Sequence, residues 1–406
     1  MLFRRAILTF AATVAVVCTA LSQERGILVN GRDTISYAYT PMAQTAQKPS
    51  GWQRVSNYFE QSTTDQTATK KVDFTVIGAP TYSSTIGLGL GVMAAGLYRI
   101  DRDNLQLSPS VASIYASATL RGVYNVGIDG VNIFRDNRNR LLYKLNFVNQ
   151  PTNFWGLGYD AARENTPIKY TSNSQQVEVS YYHRIYRNVY VGARVNFDYI
   201  YTKKSDRELI KPYIDGGKTE SLSTGLSLLL EYDSRDFIPN PYRGLYLSLQ
   251  AMVRPKALAN IDDNTWRFTA TASYYQRLWR GATLALDLYG ESNSKHTPWQ
   301  LYARMGSKSR MRGYYEGRFT DRNMVTAQAE LRQNIWRRVG VALWGGAGNC
   351  FSSWNTFEWS HTLPNYGVGL RWELKKRVNI RFDYGFGSRV NGRLINGFQV
   401  VLNEAF

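Results

Sequence analysis

From Val72 to Phe406, apolar and polar side chains change places at almost every step, in segments separated by short polar breaks. A period of two belongs to extended strands whose two faces meet different surroundings. In 177–185, Val177, Val179, Tyr181, His183 and Ile185 oppose Glu178, Ser180, Tyr182 and Arg184. In 189–201, Val189, Val191, Ala193, Val195, Phe197 and Tyr199 oppose Arg194, Asn196 and Asp198. Leu222, Leu226, Leu228, Leu230 and Tyr232 stand against Ser221, Ser223, Gly225, Ser227 and Glu231, and Leu245, Leu247, Leu249 and Val253 against Tyr246, Ser248 and Gln250.

Backbone polar groups in lipid are satisfied only in helices or in closed barrels. After the first residues, no apolar run approaches the length of a membrane-crossing helix, so a helical bundle is excluded. A barrel needs apolar character only at alternate positions, which reconciles a negative mean hydropathy with 14% aromatic residues, 28 Tyr and 10 Trp among them. A soluble all-β protein would bury both faces or carry a repeated motif, and no repeat is present. The fold class expected is all-β, a transmembrane antiparallel β-barrel.

Connections alternate in length, as such a barrel requires. Arg187-Asn188, Arg280-Gly281, Arg337-Arg338 and Lys375-Lys376 read as tight periplasmic turns, whereas 202–218, 254–264, 293–322, 350–363 and 388–393 read as longer external loops. Leu141–Asn149 and Phe154–Tyr159, divided by Pro151, read as two strands or as one with a kink. Taken as two, they give one strand too many for the even count of single-chain bacterial barrels, and sixteen strands are expected.

Arg4 and Arg5, the apolar run Ala6–Val17 and Ala20-Leu21-Ser22 make residues 1–22 an export leader, cut before Gln23. Ala15-Val16-Val17 is a poor lipobox for Cys18, and the leader's loss leaves Cys350 without a disulfide partner. Residues 23–71 are polar; Trp52, Val55, Tyr58 and Phe59 fall at helical spacing, so a short amphipathic helix and a disordered lead-in both fit. Residues 72–406 are the barrel. The net charge is +18, or +16 without Arg4 and Arg5, and an exported barrel meets lipid phosphates, lipopolysaccharide included, and no nucleic acid.

The stretch Leu301–Arg332 begins without periodicity, rich in Gly, Arg and Tyr, and ends in a clean strand. There Val325, Ala327, Ala329, Leu331 and Gln333 share one face, and Met324, Thr326, Gln328, Glu330, Arg332 and Asn334 the other. A long aperiodic loop of this kind is more often functional than not. The last strands alternate as well: Val378, Ile380, Phe382, Tyr384 and Phe386 oppose Asn379, Arg381 and Asp383, and Phe398, Val400, Leu402 and Phe406 oppose Gln399, Val401 and Asn403.

These residues together resemble the barrel of the BamA/TamA superfamily of outer-membrane proteins, also called the bacterial surface antigen family, in a short form of Bacteroidetes type. The resemblance covers roughly residues 72–406. Glu231-Tyr232-Asp233-Ser234-Arg235-Asp236 followed by Pro239-Asn240-Pro241-Tyr242-Arg243-Gly244 is similar to the family's periplasmic turn, in which Tyr232, Asp233, Arg235, Asp236, Pro241 and Gly244 carry the match. Arg312-Gly313-Tyr314 resembles its Arg-Gly-aromatic loop signature. The aromatic carboxy-terminal strand, with Phe398, Val400, Leu402 and Phe406, is similar to the recognition signal of outer-membrane strands in general.

The resemblance implies that the long external loop folds into the lumen and that Arg312 pairs there with Glu330, which the alternation independently points inward. A buried guanidinium facing a carboxylate makes two charge-assisted hydrogen bonds in fixed geometry. Gly313 would allow a tight backbone turn and Tyr314 would pack beneath it. An Arg312 on a solvated loop tip, with Glu330 paired to Arg332, is the other arrangement. The family's second acid, on the thirteenth strand, would fall near Gly345 or Gly346, and no acid occurs between Val339 and Asn349. Residues 23–71 are too short for one of the periplasmic POTRA modules of the family's insertases.

His183, His296 and His361 are scattered, no metal-binding spacing exists and there is no G-x-S-x-G, so neither an enzyme nor a cofactor is expected. The function implied is help in inserting or translocating outer-membrane proteins in a Gram-negative cell, with client proteins or accessory lipoproteins as partners. The alternative is a passive channel or structural barrel whose loop plugs the lumen.

Overall fold

The computed structural model describes residues 70–101, 109–134, 137–205, 219–238, 240–375 and 377–406. The leader and the Trp52, Val55, Tyr58 and Phe59 pattern lie outside these residues. The strands are β1 (Asp73–Ser83), β2 (Gly87–Tyr98), β3 (Ser110–Thr119), β4 (Tyr124–Ile133), β5 (Asn139–Phe154), β6 (Ile168–Tyr186), β7 (Val189–Ser205), β8 (Glu220–Asp233) and β9 (Gly244–Arg254). They continue as β10 (Thr265–Arg277), β11 (Ala282–Asn293), β12 (Ala303–Arg304), β13 (Thr320–Asp321), β14 (Asn323–Trp336), β15 (Val339–Phe351), β16 (Leu363–Lys375), β17 (Val378–Val390) and β18 (Arg393–Leu402). One short helix, α1, spans Tyr159–Glu164.

All but β12 and β13 close into one antiparallel barrel of sixteen strands, each beside its neighbour in sequence, with β14 following β11 and β18 returning to β1. β12 and β13 pair with each other inside the long loop. The two segments around Pro151 are a single strand, β5, and the residues beyond it form α1. Proline is tolerated because β4 pairs with β5 only as far as Asn149, so Pro151 has β6 on one side and no ladder bond to donate on the other.

The alternation becomes two surfaces. Val179, Tyr181, Val195, Phe197, Leu228, Leu230, Leu249 and Leu343 are exposed on the outer wall, where lipid takes the place of a protein core. Ser180, Asn196, Ser227, Ser273, Asp287, Gln328, Glu330 and Asp383 are buried on the inner wall. The short turns after β6, β10, β14 and β16 share one end, the periplasmic end of such barrels, with the longer β8–β9 connection, and the connections from β5 to β6, β9 to β10, β11 to β14 and β15 to β16 lie at the other.

The loop between β11 and β14 turns into the lumen and builds its own apolar core. Met305, Met311, Tyr314 and Phe319 pack there with Ala303, Met324, Cys350, Leu363, Val390 and Ala162 of α1. Full burial of a side chain of this size contributes roughly 1.5–3 kcal/mol.

The ladder is thinnest where it closes. β1 and β2 share eleven register pairs, but β1 and β18 share only Tyr82 with Val400 and Ser83 with Gln399. Both strands meet at their C-terminal ends, so they overlap over a fraction of their length.

Candidate functional site: the loop lock and the seam

Arg312 sits on a tight turn inside the lumen, flanked by Met311 at φ 51° and Gly313 at φ 103°. Its guanidinium is fully buried and is shared between two acids. Nη2 lies 2.6 Å from Glu330 Oε2, an ion pair outside hydrogen-bond geometry, and Nη1 donates to Asp383 Oδ2 at 2.9 Å. The expected two-bonded fork on Glu330 is therefore split across two strands, β14 and β17.

The place where the second acid was expected, beside Gly345 on β15, holds Trp344. Its inward-facing ring lies 3.7 Å beneath the Arg312 guanidinium. A desolvated cation over an indole is stabilised by about 2 kcal/mol. The second acid is Asp383, two barrel strands further round; wall curvature brings it to the loop.

Arg332 Nε donates to Glu330 Oε1 at 2.7 Å, so Glu330 holds Arg312 and Arg332 together. Arg371 reaches Asp383 at 2.6 Å, Glu330 at 3.5 Å and Glu404 at 2.9 Å, and Arg381 donates to Asp383 and to the Lys308 carbonyl. Four guanidinium groups, of Arg312, Arg332, Arg371 and Arg381, thus face three carboxylates, of Glu330, Asp383 and Glu404, all buried. Removing an acid from such a set leaves a further arginine charge without compensation, at a cost of about 3–5 kcal/mol.

The neighbouring signature residues hold the backbone. A Cβ on Gly313 would fall 2.6 Å from the Gly385 carbonyl carbon, and one on Gly385 would fall 2.4 Å from the Arg312 oxygen. Asn365 Nδ2 donates to that same Arg312 oxygen. The Tyr314 hydroxyl donates to the Pro364 carbonyl at 2.6 Å and accepts from the Ser388 N–H at 2.7 Å. Gly387 leaves room for its ring.

The loop also touches both sides of the seam. The Glu316 N–H donates to Thr85 Oγ1 at 3.3 Å in the β1–β2 turn, and Gln399 Nε2 of β18 donates to the Lys308 carbonyl at 3.4 Å. Ser84 Oγ accepts from the Phe398 N–H at 3.1 Å, extending the short ladder by a side chain.

Residues 234–238 and 240–243 form a strap at the periplasmic end. Tyr232 and Asp233 close β8; Asp233 pairs with Arg235 at 2.7 Å. Asp236 Oδ1 accepts from the Tyr242 N–H at 2.9 Å, and Gly244 takes φ 120°, where a Cβ would fall 2.5 Å from the Ser234 oxygen. Pro241 lies between these anchors. Arg377, at the turn between β16 and β17, donates to Asp236 Oδ2 at 2.8 Å and to the Asn240 carbonyl at 2.7 Å. Its guanidinium lies over the Tyr242 ring at 4.0 Å.

Phe398, Val400 and Leu402 lie on the outer face of β18. Phe406 does not continue that face. The strand ends at Leu402, Asn403 turns at φ 67°, and Phe406 lies inside with its ring 5.5 Å from Arg332. Glu404 beside it accepts from Asn379 Nδ2 at 2.6 Å and from Arg371.

The comparisons with known proteins agree on the fold. No curated protein sequence matches the chain. Among solved structures, BamA from Haemophilus ducreyi lacking POTRA domains 1–3 aligns at TM-score 0.56 and 12% identity, over 82% of this chain and 70% of that one. CdiB from Escherichia coli aligns at TM-score 0.59 and 12% identity, covering 82% and 63%, and CdiB from Acinetobacter baumannii at 0.52 and 15%, covering 82% and 60%. The chain therefore spans less than two thirds of either CdiB. The sequence profile of the Omp85 superfamily domain matches residues 120–406, which include the strap, the loop lock and the last strand: the chain is an outer-membrane β-barrel and belongs to the Omp85 superfamily.

Proposed function

We propose that this barrel assists the insertion or translocation of outer-membrane proteins through its seam. The observation that carries this is the closure by two register pairs, beside eleven in the neighbouring hairpin. A strand edge with so little pairing is a template on which an incoming strand adds by main-chain hydrogen bonds. The buried Arg312 cluster keeps the remaining wall in shape while the seam parts. Loop contacts at Thr85 and Gln399 set the resting, closed state. Client proteins, with accessory lipoproteins, are the partners this implies, and lipopolysaccharide and phospholipid surround the wall.

The test is reconstitution of the chain into liposomes, followed by the folding rate of an unfolded outer-membrane β-barrel added from outside. The parent should accelerate folding, and a disulfide joining Tyr82→Cys to Val400→Cys in a Cys350→Ser background should abolish the effect until reduced. No acceleration by the parent, or full acceleration by the oxidised variant, refutes the role.

A second role is a channel narrowed by its loop, and the apolar core within the lumen favours it. Planar-bilayer conductance that rises in Arg312→Ala or Glu330→Ala, with no effect of either on client folding, would support the channel over the insertase.

A further inference from the structure

Three periplasmic turns share an unusual build. In each, the incoming strand carries a register shift close to its end: between Arg184 and Tyr186 in β6, Asn334 and Trp336 in β14, and Glu373 and Lys375 in β16. In each, an arginine in the turn takes positive φ: Arg187 at 28°, Arg337 at 45° and Arg377 at 63°. That conformation belongs to glycine and asparagine, and an L side chain there is strained. The turn after β10 shows the ordinary solution, Gly281 at φ 81° behind Arg280. Arg187 and Arg337 hold the first turn position and Arg377 the second, and strain kept in all three turns points to a use for the side chain.

Arg377 shows what that use is. It grips the Asp236 carboxylate and lies over Tyr242, so one guanidinium has an aromatic face and an anion. Arg187 lies 5.4 Å from the Tyr186 ring centroid and Arg337 5.1 Å from that of Trp336. Both have the aromatic face, and among the described residues neither has a carboxylate. Arg280 and Arg338 are exposed beside them, next to exposed Trp279 and Trp336. Asp233, Asp236 and Glu373 on this rim are already taken by Arg235 and Arg377.

We infer that Arg187 and Arg337, with Arg280 and Arg338, form a belt that binds the phosphates of anionic glycerophospholipids in the periplasmic leaflet. Tyr186, Trp279 and Trp336 set the depth of the belt, because amphipathic rings settle at the boundary between acyl chains and headgroups. The anion that Asp236 supplies to Arg377 from within the chain is supplied to the others by lipid. The charge complementarity is one-sided, cationic protein against anionic leaflet, and it stands apart from the seam and the loop.

Native mass spectrometry of the detergent-solubilised chain tests this with phosphatidylglycerol and phosphatidylcholine of identical acyl chains. The parent should retain phosphatidylglycerol in preference, and Arg187→Asn with Arg337→Asn should weaken that retention by about fivefold per arginine removed, leaving phosphatidylcholine unchanged. Asparagine accepts positive φ, so the turns persist, and heat-modifiable gel mobility reports folding. Arg187→Lys with Arg337→Lys should recover most of the preference. Equal retention of the two lipids by the parent, or undiminished phosphatidylglycerol on the asparagine variant, overturns the proposal. So does polyglutamate that competes as well as phosphatidylglycerol, which would assign the belt to an acidic protein.

Discussion

Gly313 and Gly385 meet backbone against backbone, the loop's turn seated on the wall of β17 with no side chain between them. The approach sets Arg312 at the depth where Glu330 and Asp383 both reach it. A methyl group on either glycine lifts the turn, and the ion pairs lengthen although every charge is still present.

Gly385→Ala should therefore release the loop as effectively as loss of the charge. The expected result is trypsin cleavage at Lys308 or Arg310 in the folded barrel, sites resistant in the parent, with the rest of the barrel uncut.

Arg312→Ala leaves Glu330 and Asp383 without their shared cation, while Arg332, Arg371 and Arg381 stay nearby. Three cations then face three acids, and the expected loss is that of the charge-assisted hydrogen bond to Asp383 and the Trp344 contact, about 2–4 kcal/mol. It is measured as a fall in the temperature at which heat-modifiable mobility is lost. Arg312→Lys should recover only part, since an ammonium cannot reach two acids and still cover the Trp344 face.

The seam contacts are testable separately from the lock. Thr85→Cys with Glu316→Cys, in a Cys350→Ser background, should join the loop to the β1–β2 turn on mild oxidation. The bond should raise the unfolding temperature. A pair that stays reduced would mean that the loop does not rest against that turn.

The strap has a pH dependence of known sign. Burial alone would raise the Asp236 pKa, but the Tyr242 N–H, the Arg377 guanidinium and the Arg243 N–H outweigh it and hold the carboxyl below its usual range. A lowered folded value contributes stability above the unfolded value of about 4 and loses it as pH falls through the folded one. Exchange protection of the 234–243 amides, corrected for intrinsic pH dependence, should therefore hold at neutral pH and fall below about pH 4. Asp236→Asn should show the weaker protection throughout.

Much of this was legible beforehand because the information is local. Face assignment needs only neighbours two residues apart, so Glu330 could be pointed inward from sequence. Asp383 was marked inward by the same rule, but its meeting with Arg312 depends on wall curvature, which no spacing along the chain encodes. Arg377 and Asp236 are likewise far apart in sequence and joined only by the way the strap crosses the rim. Phe406 departs from the alternation because positive φ at Asn403 ends the strand, which spacing along the chain does not encode. The Gly313 and Gly385 approach left no trace beyond two glycines in long aperiodic and periodic stretches respectively.

The segment tucked in after β18 has a consequence for assembly. Glu404 supplies one of the three carboxylates from beyond the last strand, so until that segment docks the four arginines have only Glu330 and Asp383 against them. Docking halves the excess of cations in this set, from two to one. A barrel stalled before that step would carry twice that excess within its walls, which disfavours closing the loop over the cluster until the segment is in place.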